Sequence, residues 1–166
     1  MVHHPTMNIV RFLRRSLSLA RAMPVEARAP RETHHLRSRN WISALAAQFR
    51  AQYPRDPTVR VLCQQDAQHR AQSGRNELLY DVLVARVATV SSANQRKELS
   101  YVQEVLWQVE SEFARNSREA LFDFNKLVLG SAQCKLFIGP GVRKPGGFLA
   151  VVRPSAIACS GIVYVA

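Results

Sequence analysis

The chain has 166 residues, 47% of them apolar, and a formal net charge of +11 from 23 basic and 12 acidic side chains. That length suits one domain with an appendage and a real core, and no apolar run approaches the ~18–20 residues of a membrane span. Cys63, Cys134 and Cys159 are odd in number and widely spaced, and the histidines lack zinc-ligand spacing. These features argue against a disulfide framework and a structural zinc, and for reduced, buried thiols in a cytoplasmic setting. The basic excess favours polyanions such as nucleic acid, or an anionic membrane face, and also fits a generic arginine-rich surface.

The excess is uneven. Residues 1–40 hold eight arginines against Glu26 and Glu32. Met7 to Met23 carries Arg11, Arg14, Arg15 and Arg21 with no acid, plus Ile9, Leu13 and Leu17 at helical spacing. Three readings stay open for it: an organellar targeting peptide, a flexible basic arm, or poorly ordered sequence before the domain. Pro24, Pro30 and scattered charge make residues 24–40 read as a linker. The leader is therefore set at 1–40 and a single α/β domain at 41–166.

Trp41, Leu45 and Phe49 repeat with helical spacing, predicting a helix to Tyr53 that Pro54 stops. Val59 to Cys63 reads as a short strand, and Arg75 to Leu79 as a helix end or a turn. Tyr80 to Val87 is rich in β-formers. The polar run Ser91 to Ser100 reads as a loop or the approach to the next strand, Val105 to Glu112. Asn116-Ser117 is placed to cap a helix with Leu121, Phe124, Leu127 and Val128 as its apolar stripe. Trp107, Phe122, Phe124 and Phe137 are expected in the core. Lys135 to Gly139 is a strand, Gly147 to Cys159 a helical or irregular crossover, and Ile162 to Val165 a last strand. The chain stops inside that apolar strand, so it is either the natural last element or a truncated one. The order predicts a mixed central sheet flanked by helices.

The most informative segment is Trp107-Gln108-Val109-Glu110-Ser111-Glu112. Side chains two apart on a strand share a face, so Glu110 and Glu112 are expected side by side. Two like charges repel unless a cation, a proton or solvent compensates them. With Asp81 upstream and Lys126 downstream, these residue types could hold a divalent metal and an activated water.

The runs Asn76-Glu77-Leu78-Leu79-Tyr80-Asp81, Trp107 to Glu112 and Asp123-Phe124-Asn125-Lys126-Leu127-Val128 together resemble the PD-(D/E)xK nuclease superfamily. The likeness spans residues 75–139, rests on spacing more than identity, and implies a restriction-endonuclease-like αβββαβ core. By position it implies Asp81 and Glu110 as ligands of Mg²⁺, and a phosphodiester hydrolase acting on nucleic acid, DNA before RNA. The sequence departs from the family at the third motif position, where Glu112 replaces the usual Lys. Lys126 fits a lysine moved onto the following helix, to orient water or offset transition-state charge. Glu112 could take a second metal or bond a ligand water. Glu77 corresponds to an extra acid on a preceding helix, and Gln108 could bond a metal water or a phosphate.

Each residue also has a plainer reading. Glu110 and Glu112 could face solvent, Asp81 could begin a strand, and Lys126 could be a solvated helix residue paired with Asp123. The functional expectation is a Mg²⁺-dependent endonuclease, with a catalytically inactive nucleic-acid-binding or interaction domain of the same fold as the alternative. A sugar hydrolase built on a carboxylate pair explains neither the charge nor Lys126. Ser/His/Asp catalysis lacks a nucleophile elbow.

Overall fold

The computed structural model describes residues 7–26, 29–63, 79–113 and 116–166. The chain divides into two compact units, Met1–Arg55 and Asp56–Ala166.

The first unit is a helical pair, α1 (Ile9–Ala22) and α2 (Pro30–Gln52). Asn8 caps α1, its side-chain oxygen accepting from the Arg11 N–H at 3.0 Å. Phe12 and Ser16 are its buried residues, one helical turn apart. The Phe12 and Phe49 rings meet at 4.6 Å between centroids, and the Ser16 hydroxyl is satisfied by donating back to the Phe12 carbonyl at 3.0 Å. Helix α2 therefore crosses the 40/41 position at which the sequence reading began the folded domain. Most of the expected linker is helix, and the chain divides at 55/56 instead. The reason is local: Pro30 occupies the first turn, where its missing N–H costs nothing and its fixed φ suits a helix. It starts a helix where it had been read as punctuation.

The second unit is an α/β structure built on a five-stranded mixed sheet of order β1-β2-β3-β4-β5. The strands are β1 (Val59–Leu62), β2 (Val82–Ser92), β3 (Lys97–Ser111), β4 (Cys134–Ile138) and β5 (Ile162–Val165), with α3 (Ser117–Leu129) between β3 and β4 and α4 (Pro145–Ala158) between β4 and β5. β1, β2 and β3 form an antiparallel meander, whereas β3, β4 and β5 run parallel through the two helical crossovers. Register sets the faces. Leu62, Leu83, Gln108 and Lys135 line up across four strands, and with Ala85 and Phe137 they face α3 and α4. Phe124, Leu127, Ala120 and Val152 pack into this layer from the helices, the Phe124 and Phe137 rings lying 4.9 Å apart. On α3 the buried positions are 120, 124 and 127. Phe122 turns away and is 70% exposed, contrary to its assignment to the core, because it falls off that stripe.

The polar run 91–100 is no open loop. β2 continues to Ser92 and β3 starts at Lys97, closing a hairpin over residues 93–96 with Arg96 at φ 50°. Its tip is mostly exposed, so backbone pairing holds it without a buried side-chain alternation to betray it. At the hairpin's base Arg86 joins three segments. It donates to Asp56 at 2.6 Å, to Thr58 at 2.9 Å and to Glu104 at 3.2 Å. The Thr58 hydrogen bond, helped by Arg86, holds the Asp56 carboxyl down at about 2. The helical alternative for 147–159 is the one adopted, with Pro154 tolerated inside α4.

One polar residue is fully buried between the crossovers. Lys135 on β4 donates to the Gly130 carbonyl at 2.8 Å and to the Ser160 hydroxyl at 3.1 Å. Gly130 caps the C-terminus of α3, so the ammonium sits where that helix gathers partial negative charge.

The two phenylalanines of α3 give a direct check of this packing. Phe124→Ala should cost about 3–5 kcal/mol in urea unfolding, and Phe122→Ala no more than about 0.5 kcal/mol. Similar losses for both would contradict the assigned helix face.

Candidate active site

The meander brings the start of β2 beside the end of β3. Val82 pairs with Val109 and Leu83 with Gln108, so one further step sets Asp81 opposite Glu110. Helix α3 follows β3 and lies over the same face, held by its Phe124–Leu127 stripe. Lys126 and Asp123 are three residues apart on that helix and so share a side. Asp81, Glu110, Asp123 and Lys126 thus come from the end of one strand, the mouth of another and one helix.

The contacts are specific. Glu110 is only 2% exposed; its Oε2 accepts from Lys126 Nζ at 3.3 Å, while its buried Oε1 has no hydrogen-bond partner. Lys126 Nζ also lies 2.8 Å from Asp123 Oδ1. Asp81 is fixed through one oxygen: Oδ2 accepts from the Ser111 N–H at 2.8 Å and from the Ser111 hydroxyl at 2.7 Å. Tyr80 donates its hydroxyl to the Lys126 carbonyl at 3.2 Å, tying α3 to the chain next to Asp81. Leu79, just before, takes a left-handed φ of 70°, a conformation costing a non-glycine residue about 1–3 kcal/mol.

Burial dominates the electrostatics. It lifts the Glu110 carboxyl to about 8, with the Asp81 charge adding to it and Lys126 only partly offsetting it. Burial also raises Asp81, although its two Ser111 hydrogen bonds pull the other way. For Lys126, burial works against the charge, but the Asp123 hydrogen bond and the fields of Glu110 and Asp123 outweigh it and hold the ammonium above its ordinary range. The result is an acid cluster with one ammonium, in which one buried carboxylate oxygen is left over.

The other expected site residues are placed differently. Glu112 lies one residue past β3, half-buried, its N–H donating to the Ile138 carbonyl at 3.0 Å. The strand ends at Ser111, so the alternation expected to pair it with Glu110 does not extend to it. Gln108 is buried on the Glu110 face, but its Oε1 accepts from Ala132 N–H at 3.4 Å. Its amide also lies so close to Gly130 that a Cβ there would come within 2.0–2.3 Å of it. Gln108 thus supports the loop after α3. Glu77 lies outside the described residues.

Asp123, Ser111 and Tyr80 were missed as site residues. Asp123 had a legible signal, its i, i+3 spacing to Lys126; Ser111 and Tyr80 had none. Among the described residues, no group of three or more His, Cys, Asp or Glu side chains could hold a metal ion. Mg²⁺ sites often use one or two carboxylates and complete their shell with water and substrate phosphate. Among the same residues no helix is long and apolar enough to cross a membrane.

The raised Glu110 carboxyl makes a signed prediction. The folded chain keeps that proton up to about pH 8, whereas an unfolded Glu releases it near 4.3. Its contribution to stability therefore declines as pH rises through this window. In metal-free buffer, Glu110→Gln should match the parent in Tm near pH 4.5 and gain on it steadily towards pH 8.5. A constant Tm difference across that range would show that the Glu110 carboxyl is not held protonated.

No protein-family profile, curated protein or solved structure matches this chain.

Proposed function

We propose that the Asp56–Ala166 unit is a Mg²⁺-dependent nuclease domain of the PD-(D/E)xK type, hydrolysing phosphodiester bonds in nucleic acid. One observation carries this reading: buried Glu110 has one oxygen on Lys126 and the other unpartnered, with Asp81 set opposite. An orphaned buried carboxylate oxygen beside a second acid fits a hard divalent cation, which prefers oxygen donors. Within this unit three antiparallel strands, then α3 and a parallel β4, follow the βββαβ part of that core's order.

Asp81 and Glu110 would hold the ion, with Asp81 oriented by Ser111 through its other oxygen. When bound, Mg²⁺ supplies Lewis acidity towards a phosphate oxygen and lowers the pKa of coordinated water. Lys126 reaches Glu110 from α3 and can donate to a phosphate oxygen or an attacking water, offsetting charge that develops there. Asp123 holds the ammonium on the site side of the helix.

A second reading is a domain that binds nucleic acid without cutting it. The Lys126–Glu110 contact favours it, since an ammonium already on the acid pair can stand in for a cation.

Cleavage assays on duplex and single-stranded DNA and on RNA separate the two. A nuclease should require Mg²⁺ and lose activity in Asp81→Asn and Glu110→Gln. Lys126→Met should lower the rate by about 10²-fold or more while folding survives. Salt-sensitive binding that EDTA leaves unchanged, with no cleavage and no Mg²⁺ uptake by calorimetry, would establish the non-cutting domain instead.

A further inference from the structure

The Met1–Arg55 unit carries a concave surface that hydrolysis at Asp81 and Glu110 does not use. With Phe12 and Ser16 turned into the seam with α2, positions 11, 14, 15 and 18 form the adjoining stripe of α1. Arg11, Arg14 and Arg15 on that stripe, with Asn8 and with Gln48 and Gln52 of α2, line a groove of about 870 Å³. Among the described residues no acid lines it. All three arginines are exposed, and none makes an ion pair with another described residue.

Three guanidinium groups within two helical turns repel one another. Like charges at i, i+3 and i, i+4 destabilise a helix unless an anion lies among them. Neutral amides and the Ser18 hydroxyl fill the rest of the polar lining and can hydrogen-bond to either oxygens or N–H groups. Guanidinium forks match phosphate oxygens two at a time. We propose that this groove is a docking surface for the phosphate backbone of nucleic acid.

An anionic bilayer fits less well. A helix lying on a membrane needs one continuous apolar face free to insert; here Phe12 is spent on Phe49 of α2, and the exposed Val10 and Leu17 lie on the opposite side of α1 from Leu19. Val10, Leu19 and Ala51 also line the groove, but its concave form and its three guanidinium groups suit a strand of phosphates better than a flat lipid surface. No aromatic residue lines the groove to stack on bases, so binding there should be independent of sequence and steeply dependent on salt. This inference does not rest on the hydrolytic reading: an uncleaved strand would dock equally well.

The test is fluorescence anisotropy on the full chain in EDTA, with labelled DNA duplex, single-stranded DNA and RNA, between 50 and 200 mM salt. In Arg11→Gln/Arg14→Gln/Arg15→Gln, affinity should fall at least tenfold and the log–log salt slope should flatten by about 2–3. Gln keeps the helix propensity of Arg, so the thermal midpoint should hold. An equal charge change on the other unit, Arg60→Gln/Arg96→Gln/Arg143→Gln, should cost much less. The proposal is overturned if the parent binds no nucleic acid, or if the groove variant keeps its affinity and slope. It also fails if both triple variants weaken equally, since net charge alone would then explain binding. Loss of binding to phosphatidylserine vesicles with nucleic-acid affinity intact would assign the groove to membranes instead.

Discussion

A carboxylate enclosed in a sheet face must be answered by whatever packs around it, and Glu110 imposes that requirement on the second unit. It cannot swing out to water. β3 is paired on one side to β2 and on the other to β4, and Leu106 through Glu110 are all buried. The charged form then has three sources of relief: a proton, the Lys126 ammonium, or a cation brought in from outside. Burial outweighs Lys126, which is why the proton is retained so far up the pH scale. Lys126 engages Oε2, and the buried Oε1 is left unpartnered. An unpartnered buried acceptor carries a cost in stability.

The position of α3 is the second constraint, and several independent contacts set it. Its apolar stripe packs on Phe137 and Leu83, the Tyr80 hydroxyl holds the Lys126 carbonyl in the last turn, and Lys135 closes the same end through the Gly130 carbonyl. Gln108 fills the space beside Gly130, where no side chain larger than hydrogen fits without displacing it. These contacts fix the C-terminal turns of the helix, and with them the reach of Lys126. Lys135, a fully buried lysine, serves this helix end rather than the acid cluster.

Charge is divided in a way that net composition conceals. The chain is strongly basic, yet Asp81, Glu110 and Asp123 gather around a single Lys126 in the second unit. Three arginines line the groove of the first unit with no acid among them. A long polyanion is attracted by the basic surface as a whole, and repelled locally by an acid cluster unless cations accompany it. The two units thus differ in the sign of their charge clusters, an acidic one around Lys126 and a basic one along α1.

The sequence by itself determined the elements whose periodicity one buried face enforces: the C-terminal half of α2, β1, the inner ends of β2 and β3, α3 with its Asn116 cap, β4 and β5. Burial writes a period of 2 or 3.6 into such segments. It also picked out Asp81, Glu110 and Lys126, because acids ending an apolar strand and a rare lysine stand out by composition. The hairpin over residues 91–100, the helical start at Pro30 and the exposure of Phe122 were illegible. The first is held by backbone bonds with little buried side chain, and the others depend on which face a neighbour covers. Only the tertiary structure decided that Glu110 is enclosed while Glu112 falls past the end of β3, and that Asp123 and Ser111 join the cluster. Those outcomes depend on enclosure by β2, β4 and α3 together, and enclosure sums contacts from residues far apart in the chain, which no local pattern records.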